Sequence, residues 1–417
     1  MGSNHTTQPL WTRDFTIITL GSVVSMFGNA MSGFALSLLV LDYTNSNFQY
    51  ALVIALFTVP NLVMPIFSGA LLDRFSRKKM IYGLDFLSAA LYCAMALIFA
   101  SGRFYYWILL IYALTLGSIQ SIYMVAYQSF YPLLISEGNF TKAYSISGVL
   151  ETLTVFMVPI SAFLYNKIGI SPLLAINAVC FFIAAVMETQ IRAEEKYIEA
   201  QKGTRTENKT SRQMLTDIKE GFRYMASETG LLAIGVYFMF SSFAGGASSV
   251  IVLPWFKGTF ENGEYIYMTV FGFSVLGRAI GGMIHYRKKL PTEKKFSIAM
   301  FVYLAICFLE GGCLFMPLHV MRVMMFCSGI LSVTSYTIRI AATQHYVPDE
   351  KKGRFNGAFN MINTAGSLSG ELIAGALASL FSPRVVLAGF MLVNLLAGIF
   401  ILGGKKKEVS AIYNVET

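Results

Sequence analysis

The chain has 417 residues, of which 55% are hydrophobic and 13% are charged, and its formal net charge is +9. Its mean hydropathy of +0.59 is too high for a water-soluble globule, because so much apolar surface does not fit into cores of ordinary size. These values exclude a soluble enzyme or binding domain and place most of the chain in lipid.

Apolar runs of about 20 residues, the length that crosses a hydrocarbon core of about 30 Å, recur along the chain. We predict twelve transmembrane helices, at residues 15–41, 50–72, 80–101, 104–131, 143–165, 172–191, 230–256, 264–286, 296–316, 320–346, 355–381 and 384–403. The first fourteen residues are polar and lead directly into a full-length run, so we expect a retained first helix rather than a cleaved signal peptide.

The positive charge is unevenly distributed over the connections between these helices. If the N-terminus is cytoplasmic, most of the 32 Lys and Arg residues fall on the cytoplasmic side. The positive-inside rule then places both termini in the cytoplasm of a multi-pass cell-membrane protein. The net charge therefore reports topology, and we predict no nucleic-acid partner.

One long hydrophilic segment, residues 192–228, divides the chain into two sets of six predicted helices. Within it, residues 211–225 have apolar positions at helical spacing, which predicts an amphipathic helix along the inner leaflet. We predict four parts: an N-terminal half (1–191), a linker (192–229), a C-terminal half (230–404) and a cytoplasmic tail (405–417).

The two halves share an internal repeat. The pattern Ala-x-Gln-x-aromatic-x-Pro closes the fourth predicted helix at 126–132 and the tenth at 342–348, and Ser-Pro opens both the sixth and the twelfth. Two six-helix halves duplicated in parallel suit a transporter that rocks around a site between them. The predicted fold is an all-α polytopic membrane protein whose two halves are pseudo-symmetric.

The connection after the second predicted helix concentrates charge. It reads Gly69-Ala-Leu-Leu-Asp-Arg-Phe-Ser-Arg-Lys78 and resembles the loop signature Gly-x-Leu-x-Asp-Arg-x-Gly-Arg-Lys of the major facilitator superfamily, with Ser76 where the second Gly is usual. The resemblance covers the whole chain and implies that this loop latches the two halves in the outward-open state. Its gate residues here are Gly69, Asp73, Arg74 and Arg77. The alternative is an anchor at the anionic leaflet without a gating role.

Below the superfamily, the linker that ends in Glu-Gly-Phe-Arg-Tyr and the segment 344–354 look like the drug and siderophore exporters that include the macrolide efflux pumps. Two features depart from the proton antiporters of the family. The fourth helix has no Arg between Trp107 and Gln128, and the fifth keeps Pro159 of the antiporter motif without its usual glycines.

Ionisable residues inside a bilayer cost about 2.5 to 3.5 kcal/mol each on insertion scales, so each needs a partner, water or a function. Glu151, Arg278 and Arg339 lie at a similar depth, and the resemblance implies that their helices line the cavity or the interface between the halves. Two hypotheses follow for Glu151: it couples transport to protons, or it forms a static ion pair with an Arg.

Four further polar residues lie inside the predicted helices. Glu371 follows a run of small residues and, if it faces the cavity, meets a cationic substrate or a proton. Glu310 is expected to pack against a neighbouring helix or to snorkel. Asn29 and Gln120 are candidates for the cavity lining or for hydrogen bonds between helices.

These observations predict a secondary active transporter that works by alternating access and exports hydrophobic or amphipathic small molecules in exchange for protons. The alternative within transport is an importer or facilitator of another solute. A membrane enzyme or receptor requires a catalytic constellation, and the sequence contains no nucleophile with a base and no phosphate-binding loop. The cysteines and histidines lack metal-ligand spacing, so we predict no metal and no cofactor. We expect a monomer whose partners are substrate, protons and lipid.

Overall fold

The computed structural model of the protein describes residues 9–74, 76–103, 105–136, 139, 143, 146, 150, 157–193, 211–287 and 290–415. These residues form fourteen α-helices: α1 (Arg13–Thr44), α2 (Asn47–Arg74), α3 (Arg77–Ala100), α4 (Tyr106–Phe130), α5 (Met157–Ile168), α6 (Ile170–Thr189), α7 (Ser211–Ser227), α8 (Thr229–Thr259), α9 (Gly263–Arg287), α10 (Lys295–Cys313), α11 (Leu318–Tyr346), α12 (Asp349–Leu377), α13 (Pro383–Ala397) and α14 (Lys406–Tyr413). Short 3-10 turns follow α4 and precede α10, and a π-helical segment, Gly398–Leu402, continues α13.

Ten helices in the described ranges are long and apolar enough to cross a membrane. They correspond to ten of the twelve predicted spans. The fifth predicted span includes residues 151–156, which lie outside the described residues, and α5 is its described end. The eleventh corresponds to α12, whose 29 residues extend about 43 Å. The predicted all-α, polytopic fold is confirmed.

The chain forms two compact units, Met1–Asn45 with Leu56–Met214, and Ser46–Ala55 with Leu215–Thr417. Four helix pairings occur in both. In the first unit α1 packs on α5 and α6, and α3 packs on α4 and α6; in the second unit α8 packs on α12 and α13, and α10 packs on α11 and α13. The pseudo-symmetry predicted from the sequence repeat is thus a repetition of helix contacts.

Glycine permits close helix contacts at equivalent places in the two units. A Cβ on Gly117 of α4 would collide with the carbonyl oxygen of Phe57 in α2. A Cβ on Gly329 of α11 would collide with the carbonyl oxygen of Ser274 in α9. Because lipid offers no hydrophobic driving force for helix association, backbone approach of this kind provides much of the packing energy.

Helix α7 lies where the amphipathic helix was predicted, and its position along the inner leaflet stays a prediction. Met225 is buried in the core of the second unit, and Glu220 forms a 2.7 Å salt bridge with Arg354 of α12. The ammonium of Lys351 lies 4.5 Å from the ring centroid of Tyr224. These contacts dock part of α7 on protein, because α12 offers both an apolar surface and complementary charge.

The C-terminal tail also docks on the second unit. Val409, Ile412 and Tyr413 of α14 are buried, and the hydroxyls of Tyr413 and Tyr303 are 3.0 Å apart. Asn414 accepts a 2.9 Å hydrogen bond from the backbone N–H of Phe296 near the start of α10. The tail is therefore part of the core of this unit and occupies one end of its helices.

Candidate functional site

A cavity of about 200 Å³ lies within the first unit. Its lining combines hydroxyl and amide groups, tyrosines, and apolar side chains from α1, α3, α4 and α6: Thr19, Ser22, Ser25, Met26, Asn29, Asp85, Ser88, Ile119, Gln120, Tyr123, Met124, Tyr127, Tyr131 and Phe181, with Leu150. Asp85 is the one ionisable carboxylic side chain in this described lining, which includes no Lys, Arg or His. Such a surface suits an amphipathic molecule that is neutral or positively charged.

Both polar residues predicted for a cavity lie here. Asn29 accepts a hydrogen bond of 3.1 Å from the hydroxyl of Tyr92, so its amide is held by a neighbouring helix. Gln120 lines the same space from α4. The structure brings Asn29 and Gln120 to one cavity, and their role in substrate binding stays a prediction.

The sequence analysis did not identify two buried acids, one lining this cavity and one packed beside it. Asp85 of α3 is 1% exposed and Glu188 of α6 is 0% exposed, and their carboxyl groups lie within hydrogen-bonding reach of each other. Ser25 donates a 3.4 Å hydrogen bond to Asp85. Both acids lie near the ends of predicted spans, where charged residues are common. Their positions in the sequence therefore do not indicate that they are buried.

Small residues on α1 make room for this acidic pair. A Cβ at Gly21 would lie 3.2 Å from Oε1 of Glu188, which is closer than side-chain contacts normally allow. The neighbouring cavity positions on α1 are Thr19, Ser22 and Ser25. This helix face is thus narrow and hydroxyl-rich where it meets α3 and α6, a pattern visible in the sequence only once the partner helices are known.

Three tyrosines of α4 and its 3-10 extension form a ladder along the cavity. The rings of Tyr123 and Tyr127 are stacked at 5.9 Å, and those of Tyr127 and Tyr131 are stacked at 5.1 Å. The spacing of four residues places all three on one helix face. The ladder therefore lines one side of the cavity with aromatic rings.

The predicted gating loop is mostly helical. Gly69, Asp73 and Arg74 belong to the last turns of α2, which ends at Arg74, and α3 starts at Arg77. The side chains of residues 65–74 are not described. Ser76 is the N-cap of α3, and its hydroxyl accepts a 3.1 Å hydrogen bond from the backbone N–H of Lys79. Serine at the usual glycine position of the motif thus caps a helix.

The basic residues after this cap bind the ends of other helices in the first unit. Arg77 donates a 3.0 Å hydrogen bond to the carbonyl of Ser129 at the end of α4. Lys78 donates a 3.0 Å hydrogen bond to the carbonyl of Ile191, just after α6. Carbonyls at helix C-termini lack intrahelical partners and carry partial negative charge, so cations are stabilising there.

In the second unit, Arg278 and Glu310 lie close enough for their charges to interact, whereas Glu371 bonds within its own helix. Arg278 on α9 is exposed. Glu310 of α10 accepts a 2.6 Å hydrogen bond from Ser328 on α11, as expected for an acid that packs against a neighbouring helix. Glu371 is 4% exposed and accepts a 3.1 Å hydrogen bond from Ser367, one turn earlier in α12.

Arg339 lies against three aromatic rings. Its guanidinium carbon is 5.0 Å from the ring centroid of Phe238, 5.4 Å from that of Tyr336 and 4.9 Å from that of Phe359. Each contact is a cation–π interaction, which stabilises the charge without a carboxylate. Glu151, the predicted partner of Arg278 or Arg339, lies outside the described residues, so that pairing stays a prediction.

Long apolar helices, two repeated six-helix sets and a cavity inside one set define a polytopic membrane transporter. A family model described as Major Facilitator Superfamily matches residues 18–370, and the chain belongs to this family. It is 24% identical over 388 residues to macrolide efflux protein A of Streptococcus pyogenes, covering 90% of this chain and 91% of that protein. It is also 24% identical over 310 residues to the uncharacterized MFS-type transporter YkuC of Bacillus subtilis (strain 168), covering 72% of this chain and 70% of that protein.

Solved transporter structures share the fold. A crystal structure of a peptide transporter, POT, aligns with a TM-score of 0.70 at 12% identity and covers 97% of both chains. The nucleoside transporter NupG aligns with a TM-score of 0.68 at 11% identity, covering 93% of this chain and 99% of its own. At these identities the likeness concerns the fold alone.

Proposed function

We propose that the protein is a proton-coupled exporter of amphipathic small molecules, of which neutral and cationic compounds are the preferred class. The observation that carries this proposal is the cavity of the first unit, where apolar and aromatic surface surrounds hydroxyl and amide groups and one carboxyl. Such a lining binds many shapes with little discrimination and disfavours anions, because it holds no positive charge within the described residues.

The similarity to macrolide efflux protein A supports the outward direction of transport. Both termini are placed in the cytoplasm by the distribution of Lys and Arg. In this topology the α2–α3 motif lies on the cytoplasmic side. The connection there is proposed to work as a gate in which Gly69, Asp73 and Arg74 take part, with Gly69 allowing close helix approach.

The docked position of Arg77 supports a related role. Arg77, at the start of α3, holds the end of α4 within the first unit. A latch needs such a rigid base, because it transmits force between the halves only if one side is fixed. In the second unit, Arg278, Arg339 and Glu371 are the candidates for substrate or proton contacts, together with Glu151 of the first half.

The substrate class is tested by accumulation of three probes in cells that express the protein: ethidium as a permanent cation, erythromycin as a cationic macrolide, and fluorescein as an anion. Expression should lower the accumulation of ethidium and erythromycin and leave fluorescein unchanged. A protonophore should abolish the difference. Higher accumulation of any probe on expression would instead indicate import, and an effect on fluorescein alone would contradict the proposed cavity chemistry.

The same helix offers a matched pair of variants for the cavity. Gln120 of α4 lines the cavity, whereas Gln128 of α4 is exposed and does not. Gln120→Ala should change the relative export of the two cationic probes, since it removes a donor and an acceptor from the lining. Gln128→Ala should behave as the unmodified protein. If both variants exported the two probes in the same ratio, the cavity lining at Gln120 would take no part in substrate binding.

A further inference from the structure

We infer that Asp85 and Glu188 together bind the proton that the transporter exchanges for its substrate. This inference rests on the proposed export function and names the coupling site, in the first unit and at the wall of its cavity. Neither acid belongs to the α2–α3 motif, and neither lies on the helices of the other coupling candidates.

The two carboxyls of Asp85 and Glu188 are buried close together. They lie within hydrogen-bonding reach of each other and are 1% and 0% exposed. Two carboxylates in such contact repel strongly when both are ionised, and a hydrogen bond between them requires a proton on one. The arrangement therefore holds one proton between Asp85 and Glu188 and releases it to water only when another positive charge compensates the pair.

Buried polar atoms around the pair lack hydrogen-bond partners among the described residues. Among the described residues, neither oxygen of Glu188 has a donor other than this carboxyl contact, and the buried hydroxyl of Thr19 also lacks a hydrogen-bond partner. Thr19 lines the same cavity as Asp85. Buried polar atoms without partners are costly, so they mark a place where a proton or water is exchanged rather than a closed structural network.

The negative charge of the Asp85–Glu188 pair has to be compensated by groups that lie close to it. From α4, Tyr123 is the titratable side chain close enough to interact with both acids; the α1 face toward them consists of Thr19, Gly21, Ser22 and Ser25, which do not titrate in the accessible range. No Lys, Arg or His of the described residues lines this cavity. Among the residues that the structure describes, a proton is therefore the positive charge available to the pair.

The pair lies next to the cavity in which the substrate is proposed to bind. Asp85 lines the cavity, and Glu188 contacts Asp85 and α1 at Gly21. A cationic group bound in the cavity supplies the positive charge that stabilises the Asp85 carboxylate. The shared proton then leaves to water, and both carboxylates are balanced by the substrate and by the residual polar groups. When substrate departs, the pair takes a proton up again, so one cation and one proton alternate at one site.

The experiment begins with a measurement that needs no substrate. Infrared difference spectra of the purified protein, recorded across a pH change in H₂O and D₂O, report the C=O stretch of protonated buried carboxyls. We expect a band that is lost in both Asp85→Asn and Glu188→Gln. The control is Glu310→Gln, which removes a carboxyl of the second unit that is already hydrogen-bonded to Ser328 and should leave this band in place. Persistence of the band in both test variants would overturn the inference.

Transport is then measured in proteoliposomes with ethidium and an imposed pH gradient. The acceleration by the gradient should fall to the rate without a gradient in both variants and should be kept in Glu310→Gln. Variants that lose the band but keep gradient-driven transport would show that the pair is not the coupling site. Transport driven by a sodium gradient alone, and lost in the variants, would assign the site to sodium instead. Thermal melting and size-exclusion profiles identify any variant that fails to fold. If one of the two test variants fails to fold, the infrared band of the other decides whether the pair holds the proton.

Because the infrared measurement is independent of any transported probe, the two proposals fail separately. If the wild-type protein exports none of the probes, the export function is wrong while the band still tests the proton site. If export proceeds but no carboxyl band depends on Asp85 or Glu188, the export function stands and the assignment of the proton site is wrong.

Discussion

The guanidinium of Arg77 donates a hydrogen bond of 3.0 Å to the backbone carbonyl of Ser129 and so ties the start of α3 to the end of α4. The sequence motif around it predicts a gate, and the contact fixes Arg77 of that motif within the first unit. Within the same turn, Lys78 binds the carbonyl of Ile191 after α6. The basic cluster therefore fastens three helices of the first unit at one end.

The first prediction concerns the contribution of the Arg77–Ser129 hydrogen bond to the free energy of unfolding. Arg77→Ala removes a charged donor from a helix C-terminus, and we expect it to lower the unfolding free energy by about 1 to 2 kcal/mol. Lys79→Ala is the matched control, since Lys79 carries the same charge two residues later and is exposed. The melting temperatures of the two purified variants test this difference in stability. An equal decrease in both would show that Arg77 contributes no more to stability than an exposed lysine does.

The second prediction concerns close packing of α1 on α6. A Cβ at Gly28 would collide with Oδ1 of the buried Asn177, whose Nδ2 donates a 2.5 Å hydrogen bond to Ser32. We expect Gly28→Ala to destabilise the protein by about 1 to 3 kcal/mol, the usual cost of overpacking. Gly33→Ala on the same helix meets nothing within 4 Å and should leave the melting temperature unchanged or raise it. Equal effects in the two variants would mean that α1 and α6 are more loosely packed than described.

The third prediction concerns the docked tail. Tyr413→Phe leaves the hydroxyl of Tyr303 without its partner at 3.0 Å, which should cost about 1 kcal/mol, and adding Tyr303→Phe should recover part of that loss. Burial, with a smaller contribution from Tyr303, raises the pKa of the Tyr413 phenol well above its ordinary value. The folded state thus favours the protonated phenol.

This pKa shift fixes the sign of a pH effect. The stability due to the protonated phenol is present in full below pH about 10, the ordinary tyrosine pKa, and is lost as the pH rises above it. Tyr413→Phe should therefore weaken the decrease in melting temperature on the alkaline side. An unchanged alkaline slope, together with full stability of the single variant, would indicate that the tail is not docked in the native protein.

The sequence predicted the helices well because each crossing needs a long apolar run, and such runs are visible without knowledge of the fold. The predicted span 320–346 compares with Leu318–Tyr346, and 172–191 compares with Ile170–Thr189. The predicted end of the second helix, residue 72, likewise lies two residues from the observed end at Arg74.

The candidate site was predicted only in part. Asn29 and Gln120 stand out as polar residues inside apolar runs, and both line the cavity. Asp85 and Glu188 are separated by about a hundred residues and become a pair only through the packing of α3 on α6. Their proximity is a property of the tertiary fold, so no local pattern reveals it. The docking of α7 and α14 was missed for the same reason.

The fourth prediction tests the gate. Asp73→Asn removes one charge from the motif without a change in size, and we expect it to slow transport while expression and melting temperature remain close to those of the unmodified protein. Glu293→Gln provides the comparison, since Glu293 is an exposed acid just before α10. Initial rates of ethidium export at equal expression decide between the two hypotheses. Normal rates in Asp73→Asn would favour a membrane anchor without a gating role.

The most direct test of the account is the exchange of ethidium for protons in proteoliposomes that contain only the purified protein. With a lumen more acidic than the outside medium, ethidium added outside should accumulate inside against its own gradient, and nigericin, which collapses the pH gradient, should abolish that accumulation. Protein-free liposomes provide the baseline, and ethidium is a permanent cation, so acid trapping does not contribute. Accumulation only when the outside medium is the more acidic, or accumulation that does not respond to nigericin, would contradict proton-coupled export.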